Sequence, residues 1–423
     1  MRLSQKHPKV FYGWWVVGAC FLIVLYAGGA TFFGFTALVE PIANEFGWSY
    51  AQISLATSLR ALGMGLLAPL IGFLVDRWGP RRLVFSGIFT AGLGLIFLSR
   101  ISSLGMFYAA FALISLGRSM CTMTVMATAV SNWFRKRAGT ATGIMVSGIG
   151  LGGLMVPLIT MLTDTFDWQT AMLSLGLGML AFCLPLSLVI RHKPEQYGYL
   201  PDGEVSSPIV GGGGPASAQS DEVNITVRQG LTSRAFWHIS LSAICHSFIV
   251  GAAITHIMPH LSSIGVVRAT SSLVATALPV TSVFGRLGFG WLGDRVSKRW
   301  TATAAFIMMF LGLFLLGYID SSATRLLPIV IILFGIGWGG NVTTRIGLLR
   351  DYLGTSHFGT LLGFCSGVMM VGSISGAPVA GWAFDKWGSY QGTWFVYSAV
   401  ALVGAVLVLS IPPSPGRSSE FIH

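Results

Sequence analysis

Gly72-Phe73-Leu74-Val75-Asp76-Arg77-Trp78-Gly79-Pro80-Arg81-Arg82 closes one long apolar run, and Gly290-Trp291-Leu292-Gly293-Asp294-Arg295-Val296-Ser297-Lys298-Arg299 closes another. From Asp76 to Asp294 the offset is 218 residues. A second pair keeps nearly the same spacing: Arg137-Ala138-Gly139-Thr140-Ala141-Thr142-Gly143 and His357-Phe358-Gly359-Thr360-Leu361-Leu362-Gly363, with 220 residues from Gly139 to Gly359. Two matched pairs at almost one offset read as a duplicated membrane chain, each copy a bundle of spanning helices.

The composition fits duplication in a bilayer and excludes a water-soluble globule. Of 423 residues 53% are hydrophobic and 10% charged, against roughly a quarter charged in a soluble domain. Apolar runs divided by charged or Gly/Pro breaks give twelve spans, six over residues 12–190 and six over 235–411, on the measure of about 20 residues per spanning helix. The first run, 12–38, is too long for the core of a secretory signal and is expected as a retained helix. The net charge of +11 sits at the ends of apolar runs, so it sets topology and does not indicate nucleic acid. Lys and Arg divide eighteen to four between the two sets of loops, which predicts both termini cytoplasmic in the cell (inner) membrane. The stretch 191–233, with Gly211 to Gly214 and a Ser/Ala-rich continuation, reads as a flexible cytoplasmic linker between an N-terminal bundle at 1–190 and a C-terminal bundle at 234–423. The expected fold class is therefore all-α, twelve transmembrane helices in two pseudo-symmetric six-helix bundles. Five cysteines lie inside apolar runs without C-x-x-C spacing, so neither a disulfide framework, a metal nor a cofactor is expected.

The Gly-x-x-x-Asp-Arg-x-Gly-x-Arg-Arg pattern at Gly72 to Arg82 resembles the loop between the second and third helices of the major facilitator superfamily, and Gly290 to Arg299 resembles its counterpart between the eighth and ninth, with Ser297 replacing the inner glycine. Tyr12-Gly13-Trp14-Trp15, Asn132-Trp133-Phe134-Arg135-Lys136-Arg137, the Pro194 to Gly203 segment and Asp351-Tyr352-Leu353-Gly354 resemble bacterial monocarboxylate porters and oxalate/formate antiporters. The resemblance implies alternating access of two halves, with Asp76, Arg77, Arg81, Asp294 and Arg295 in gating loops that brace the halves while the cytoplasmic side is closed. The residues themselves add that both Asp-Arg pairs sit at helix ends, near backbone dipoles that charged side chains engage.

Charge inside the hydrocarbon points to the cargo. Every carboxylate can be placed in a loop, a tail or a helix end, but Arg60, Arg118, Arg286 and Arg345 fall inside spans, where each costs about 2.5–3.5 kcal/mol near the centre. Arg286 lies eight residues inside Asp294, roughly 12 Å, and Arg118 near the middle of the span 105–130. Arg60 and Arg345 lie closer to span ends and are expected to snorkel. A midplane guanidinium without a carboxylate suits an anion that comes and goes, because its planar fork matches a carboxylate bidentately; in the resembled porters an Arg on the eighth helix plays that part. Ser282 shares a face with Arg286, and Asn341 lies one turn from Arg345, so both are candidate pocket donors. With no carboxylate in the spans, His256 and His246 on the seventh span are the candidate proton carriers; the spacing from His256 to Arg286 resembles bacterial lactate porters, a resemblance that implies His256 also lies near the substrate.

The expected function is secondary transport of a small organic anion, a monocarboxylate, by proton symport, in a monomer bound to lipid and not to nucleic acid. Two midplane arginines keep a dicarboxylate or an oxalate/formate-type exchange open. Drug efflux and a non-transporting membrane sensor are the remaining rivals, while no nucleophile, base and orienter constellation marks an enzyme.

Overall fold

The computed structural model describes residues 11–33, 39–48, 50–197, 200, 202, 225–320 and 323–411. Every regular element among them is a helix, and twelve are long rods. The first six are α1 (Tyr12–Phe32), α2 (Tyr50–Trp78), α3 (Pro80–Leu98), α4 (Leu104–Trp133), α5 (Ala138–Leu154, continued by Met155–Thr165) and α6 (Trp168–Val189). The second six are α7 (Arg234–Ser263), α8 (Arg268–Arg295), α9 (Lys298–Tyr318), α10 (Leu327–Leu353), α11 (Phe358–Trp387) and α12 (Gln391–Leu409). Among the described residues ten helices are apolar and long enough to cross a membrane; α2 and the two-part α5 complete the twelve. Helices suit lipid because each satisfies its own backbone hydrogen bonds. Their outward faces carry large apolar side chains, such as Leu66 at 73% and Phe182 at 67% exposure, a surface that only acyl chains would cover.

Helix starts follow from local chemistry. Ser103, Asp167 and Ser233 cap α4, α6 and α7 by accepting from the backbone N–H three residues on. Gly79, between α2 and α3, has φ +81°, where glycine is favoured, and Pro80 then opens α3. At the equivalent place before α9, Ser297 has φ −54°, so the second copy of the motif needs no glycine there.

Of the stretch expected as a linker, Pro194–Tyr197 forms a 3-10 turn and Val227–Thr232 a short helix with a Thr226–Gln229 capping box. The residues that carried the finer family resemblance hold this segment down. Asn132 Nδ2 donates to the His192 carbonyl at 2.9 Å, Trp133 Nε1 to the Arg191 carbonyl at 3.1 Å, and the Arg191 guanidinium stacks 4.0 Å from the Tyr12 ring. Asp202 Oδ2 accepts from the Arg135 and Lys136 backbone N–H groups, both at 2.8 Å. Residues 203–224, the glycine run included, lie outside the described residues.

The halves meet along two seams related by the duplication, α2 against α11 and α5 against α8. Contact there is backbone to backbone. A Cβ added to Gly72 would stand 2.3 Å from the Gly359 carbonyl oxygen, and one added to Gly290 would stand 2.5 Å from that of Gly139. The opening glycine of each motif is thus a packing requirement of its seam.

One span departs from expectation. The run 105–130 was expected as a continuous helix, but α4 breaks between Leu104–Met120 and Met123–Trp133, with Cys121 at φ −110°, ψ 21° and Thr122 extended. Irregular backbone at membrane depth is tolerated where it is buried in protein or lines a cavity.

Candidate functional site

Each motif aspartate reaches across a seam to cap a helix of the other half. Asp76, at the end of α2, accepts from the Gly359 N–H at 3.0 Å, the Thr360 N–H at 2.7 Å and the Thr360 hydroxyl at 2.6 Å, all at the start of α11. Asp294, at the end of α8, accepts from the Gly139 N–H at 2.7 Å, the Thr140 N–H at 2.7 Å and the Thr140 hydroxyl at 2.6 Å, at the start of α5. A carboxylate at a helix N-terminus meets orphan N–H donors and the positive end of the dipole together. The two repeats seen in the sequence are therefore partners, crosswise. The motif arginines face outward: Arg77 and Arg81 are exposed, and Arg295, also exposed, lies 3.9 Å over the Trp291 ring. Lys298 is drawn inward instead, donating to both oxygens of Asp351 at 2.6 and 2.7 Å.

About 12 Å from the Asp76 clamp, at 1.5 Å per residue from Asp76 back to Ala68, a cavity of about 420 Å³ opens between the halves. Its wall is contributed by α1, α2, α4, α5, α10 and α11, and the break in α4 lies on it through Cys121, Thr122 and Met123. Arg118, in the last helical turn before that break, lines the cavity from one half, and Arg345 lines it from the other. No carboxylate belongs to this wall among the described residues.

Arg345 corrects a sequence expectation. It does not snorkel to headgroups; it is 9% exposed, and its Nη1 donates to Met369 Sδ at 2.9 Å. Depth along α10 was measured from its end as if that were the membrane surface, whereas the Arg345 side chain turns to the interior cavity wall beside Met369 of α11.

Arg286 sits behind the cavity at the α5/α8 seam. It is 4% exposed, its Nη1 donates to the Val146 carbonyl on α5 at 3.3 Å, and its guanidinium lies 5.8 Å from the Trp338 ring centre. Its Nε is buried with no hydrogen-bond partner. Ile149, one turn beyond Val146, is already on the cavity wall. His246 points to the same region, with Nε2 3.4 Å from the Trp338 carbonyl and Nδ1 without a partner.

The remaining sequence candidates lie off this wall. Both ring nitrogens of His256 are engaged by protein, Nε2 at 2.9 Å from the Ala377 carbonyl and Nδ1 at 3.0 Å from the Tyr390 hydroxyl. Nε2–H donating to the carbonyl and Nδ1 accepting from the phenol make one consistent neutral tautomer. Ser282 donates to the Pro279 carbonyl at 2.6 Å within its own helix, and Asn341 Nδ2 donates to the Gly337 carbonyl at 3.1 Å and lies 3.3 Å from Met309 Sδ. The structure therefore brings together Arg118 and the unanticipated Arg345, with Arg286 and His246 one layer behind.

A family model for the Major Facilitator Superfamily matches residues 19–266 and again 239–422. The chain belongs to the major facilitator superfamily. It is a multi-pass membrane transporter and not an enzyme. Monocarboxylate transporter 12-B of Danio rerio is 28% identical over 95% of this chain and 87% of its own, and monocarboxylate transporter 13 of Bos taurus is 25% identical over 97% and 92%. Among solved structures, the human organic anion transporter MFSD10 superposes with a TM-score of 0.69 at 13% identity, covering 95% of this chain and all of the other. The Escherichia coli fucose:proton symporter FucP gives 0.67 at 14% identity, covering 92% and 96%. These superpositions establish the fold.

Proposed function

We propose that this transporter carries a small organic anion, a monocarboxylate, by alternating access, in symport with a proton. The observation that carries the proposal is a cavity at the meeting of the two halves whose only ionic side chains, among the described residues, are the guanidiniums of Arg118 and Arg345. A cationic wall in a low-dielectric site favours an anion and opposes a cationic drug. The monocarboxylate relatives support the carboxylate class. Arg286 would join the substrate when the α5/α8 seam opens and its bond to Val146 is released. The motif end would be cytoplasmic, in the cell (inner) membrane, with the halves 1–190 and 234–423 rocking about the linker 191–233, and the monomer as the working unit. A second reading, a dicarboxylate or oxalate-type anion in exchange, draws support from the same pair of guanidiniums, one for each carboxylate.

Radiolabelled lactate and oxalate uptake into proteoliposomes, with and without an imposed proton gradient, tests both. Accumulation of lactate driven by the gradient is expected, and no accumulation of either anion overturns a cargo of lactate or oxalate size. Arg118→Gln separates the readings: loss of oxalate uptake with lactate retained assigns Arg118 to a second charge, whereas loss of both assigns it to the shared carboxylate. For the proton, His246 has the free ring nitrogen and His256 does not, so His246→Gln is expected to uncouple uptake from the gradient and His256→Gln to leave coupling within about twofold. The opposite pattern reinstates His256 as the carrier.

A further inference from the structure

Arg345 is a buried ion held by a poor partner. A guanidinium offers five N–H donors in a rigid fork and a thioether sulfur is a weak acceptor, yet Met369 Sδ is its hydrogen-bond partner among the described residues. No nitrogen of Arg345 is among the sealed, unsatisfied atoms, in contrast to Nε of Arg286, so its remaining donors are accessible from the cavity it lines. Across that cavity α4 restarts at Met123, and its first-turn N–H groups have no intrahelical acceptor by the geometry of a helix start. Two independent features of the wall thus ask for an acceptor of negative charge.

The rest of the wall asks for something else. Met64, Met123, Met369 and Met370 line it together with Ile149 and Ile346. Methionines are unbranched and polarisable, and they shape themselves around irregular apolar bodies and aromatic rings. A cavity of about 420 Å³ lies in the range of roughly 300–1,000 Å³ typical of sites for drug-sized ligands. An acid the size of lactate would leave most of this apolar surface against water.

Resting on the anion-transport reading above, we propose that Arg345 is a substrate anchor and that the cavity selects a carboxylate with a bulky apolar body, branched or aromatic. The carboxylate replaces Met369 Sδ on the Arg345 fork, and the body lies along the methionine wall. Affinity then grows with the buried body, by roughly three- to fourfold for each methylene removed from water.

The test is a calorimetric titration of the purified full-length protein with pyruvate, 4-methyl-2-oxopentanoate and phenylpyruvate, which share one 2-oxo acid head. The expected result is a Kd that falls along the series by tenfold or more in total, and an Arg345→Gln variant that binds every member at least tenfold more weakly. Arg345→Lys, which keeps the charge and loses the fork, is expected to fall between. Met370→Phe provides a variant independent of the arginine: by filling the cavity it should reverse the size preference, retaining pyruvate and losing phenylpyruvate. A flat series overturns the apolar-body assignment, and wild-type affinity in folded Arg345→Gln overturns the anchor. Both failures leave anion transport standing as long as pyruvate still binds. If none of the three acids binds, the transport reading falls along with the inference.

Discussion

Asp76→Ala and Asp294→Ala are each expected to slow transport by tenfold or more while leaving equilibrium substrate affinity within a fewfold. Each carboxylate accepts three hydrogen bonds from the opposite half. Hydrogen bonds to a charged group contribute about 1.5–3 kcal/mol apiece, and the helix N-terminus adds up to about 2 kcal/mol in a partly buried geometry. These bonds exist only while the seams are closed at the motif end. Losing even ~3 kcal/mol of them shifts the closed-to-open equilibrium about a hundredfold, since 1.4 kcal/mol is a factor of ten. Binding is far less sensitive. If the closed-end conformer dominates by roughly a hundred to one, a hundredfold shift still leaves half the molecules competent, and the apparent Kd rises only about twofold. Proteoliposome flux together with a binding titration checks the split, and spin-label distances across α2 and α11 report the seam itself. Asp76→Asn retains one acceptor oxygen and should lie between wild type and alanine. Abolished binding in a folded Asp76→Ala protein would contradict a clamp that acts only on the seam.

The clamp also shows how far the sequence could be read. Both repeats were visible as strings, and the period and apolarity of the runs between them carried the spans and the fold class. What the strings did not disclose is that Asp76 pairs with Gly359-Thr360 and Asp294 with Gly139-Thr140, because pairing across a duplication is crosswise and involves residues up to 284 apart. The break in α4 left no trace either: Arg118-Ser119-Met120-Cys121-Thr122-Met123-Thr124 contains neither glycine nor proline, the residues that ordinarily mark a break. Arg345 was misplaced for a related reason. Distance along a helix measures depth only when the membrane surface is known, and the burial of a polar side chain is decided by the neighbour that covers it. The signal available in advance was compositional, four arginines and no carboxylate inside the spans, and it did not tell which of the four meet at a cavity. Ser282 and Asn341 were drawn in by helical spacing and His256 by its titratable ring in a span without carboxylates, and neither signal tells whether the side chain meets a cavity or another helix. In this structure their polar atoms are engaged by nearby protein groups.

Arg286→Met is expected to raise thermal stability and abolish transport in the same protein. The guanidinium is 4% exposed and faces no carboxylate among the described residues, and its Nε is sealed without a partner. An ion in that position costs about 2.5–3.5 kcal/mol on insertion scales, a figure that already includes the desolvation of the sealed Nε. Against this stand the bond to Val146, whose 3.3 Å length puts it at the weak end of its class, and a cation–π contact at 5.8 Å, worth about 2 kcal/mol when desolvated. The costs exceed the gains by a small margin, and methionine fills similar volume without a charge to desolvate, so the variant should unfold somewhat above wild type in a detergent melt. A residue kept against its own stability implies a function that uses the charge. Flux should therefore vanish even though the fold has improved, with substrate binding weakened by at least tenfold if the side chain meets the carboxylate when the α5/α8 seam opens. A lower melting temperature with flux retained would make Arg286 a structural brace of the seam, and the anion site would then belong to Arg118 and Arg345 alone.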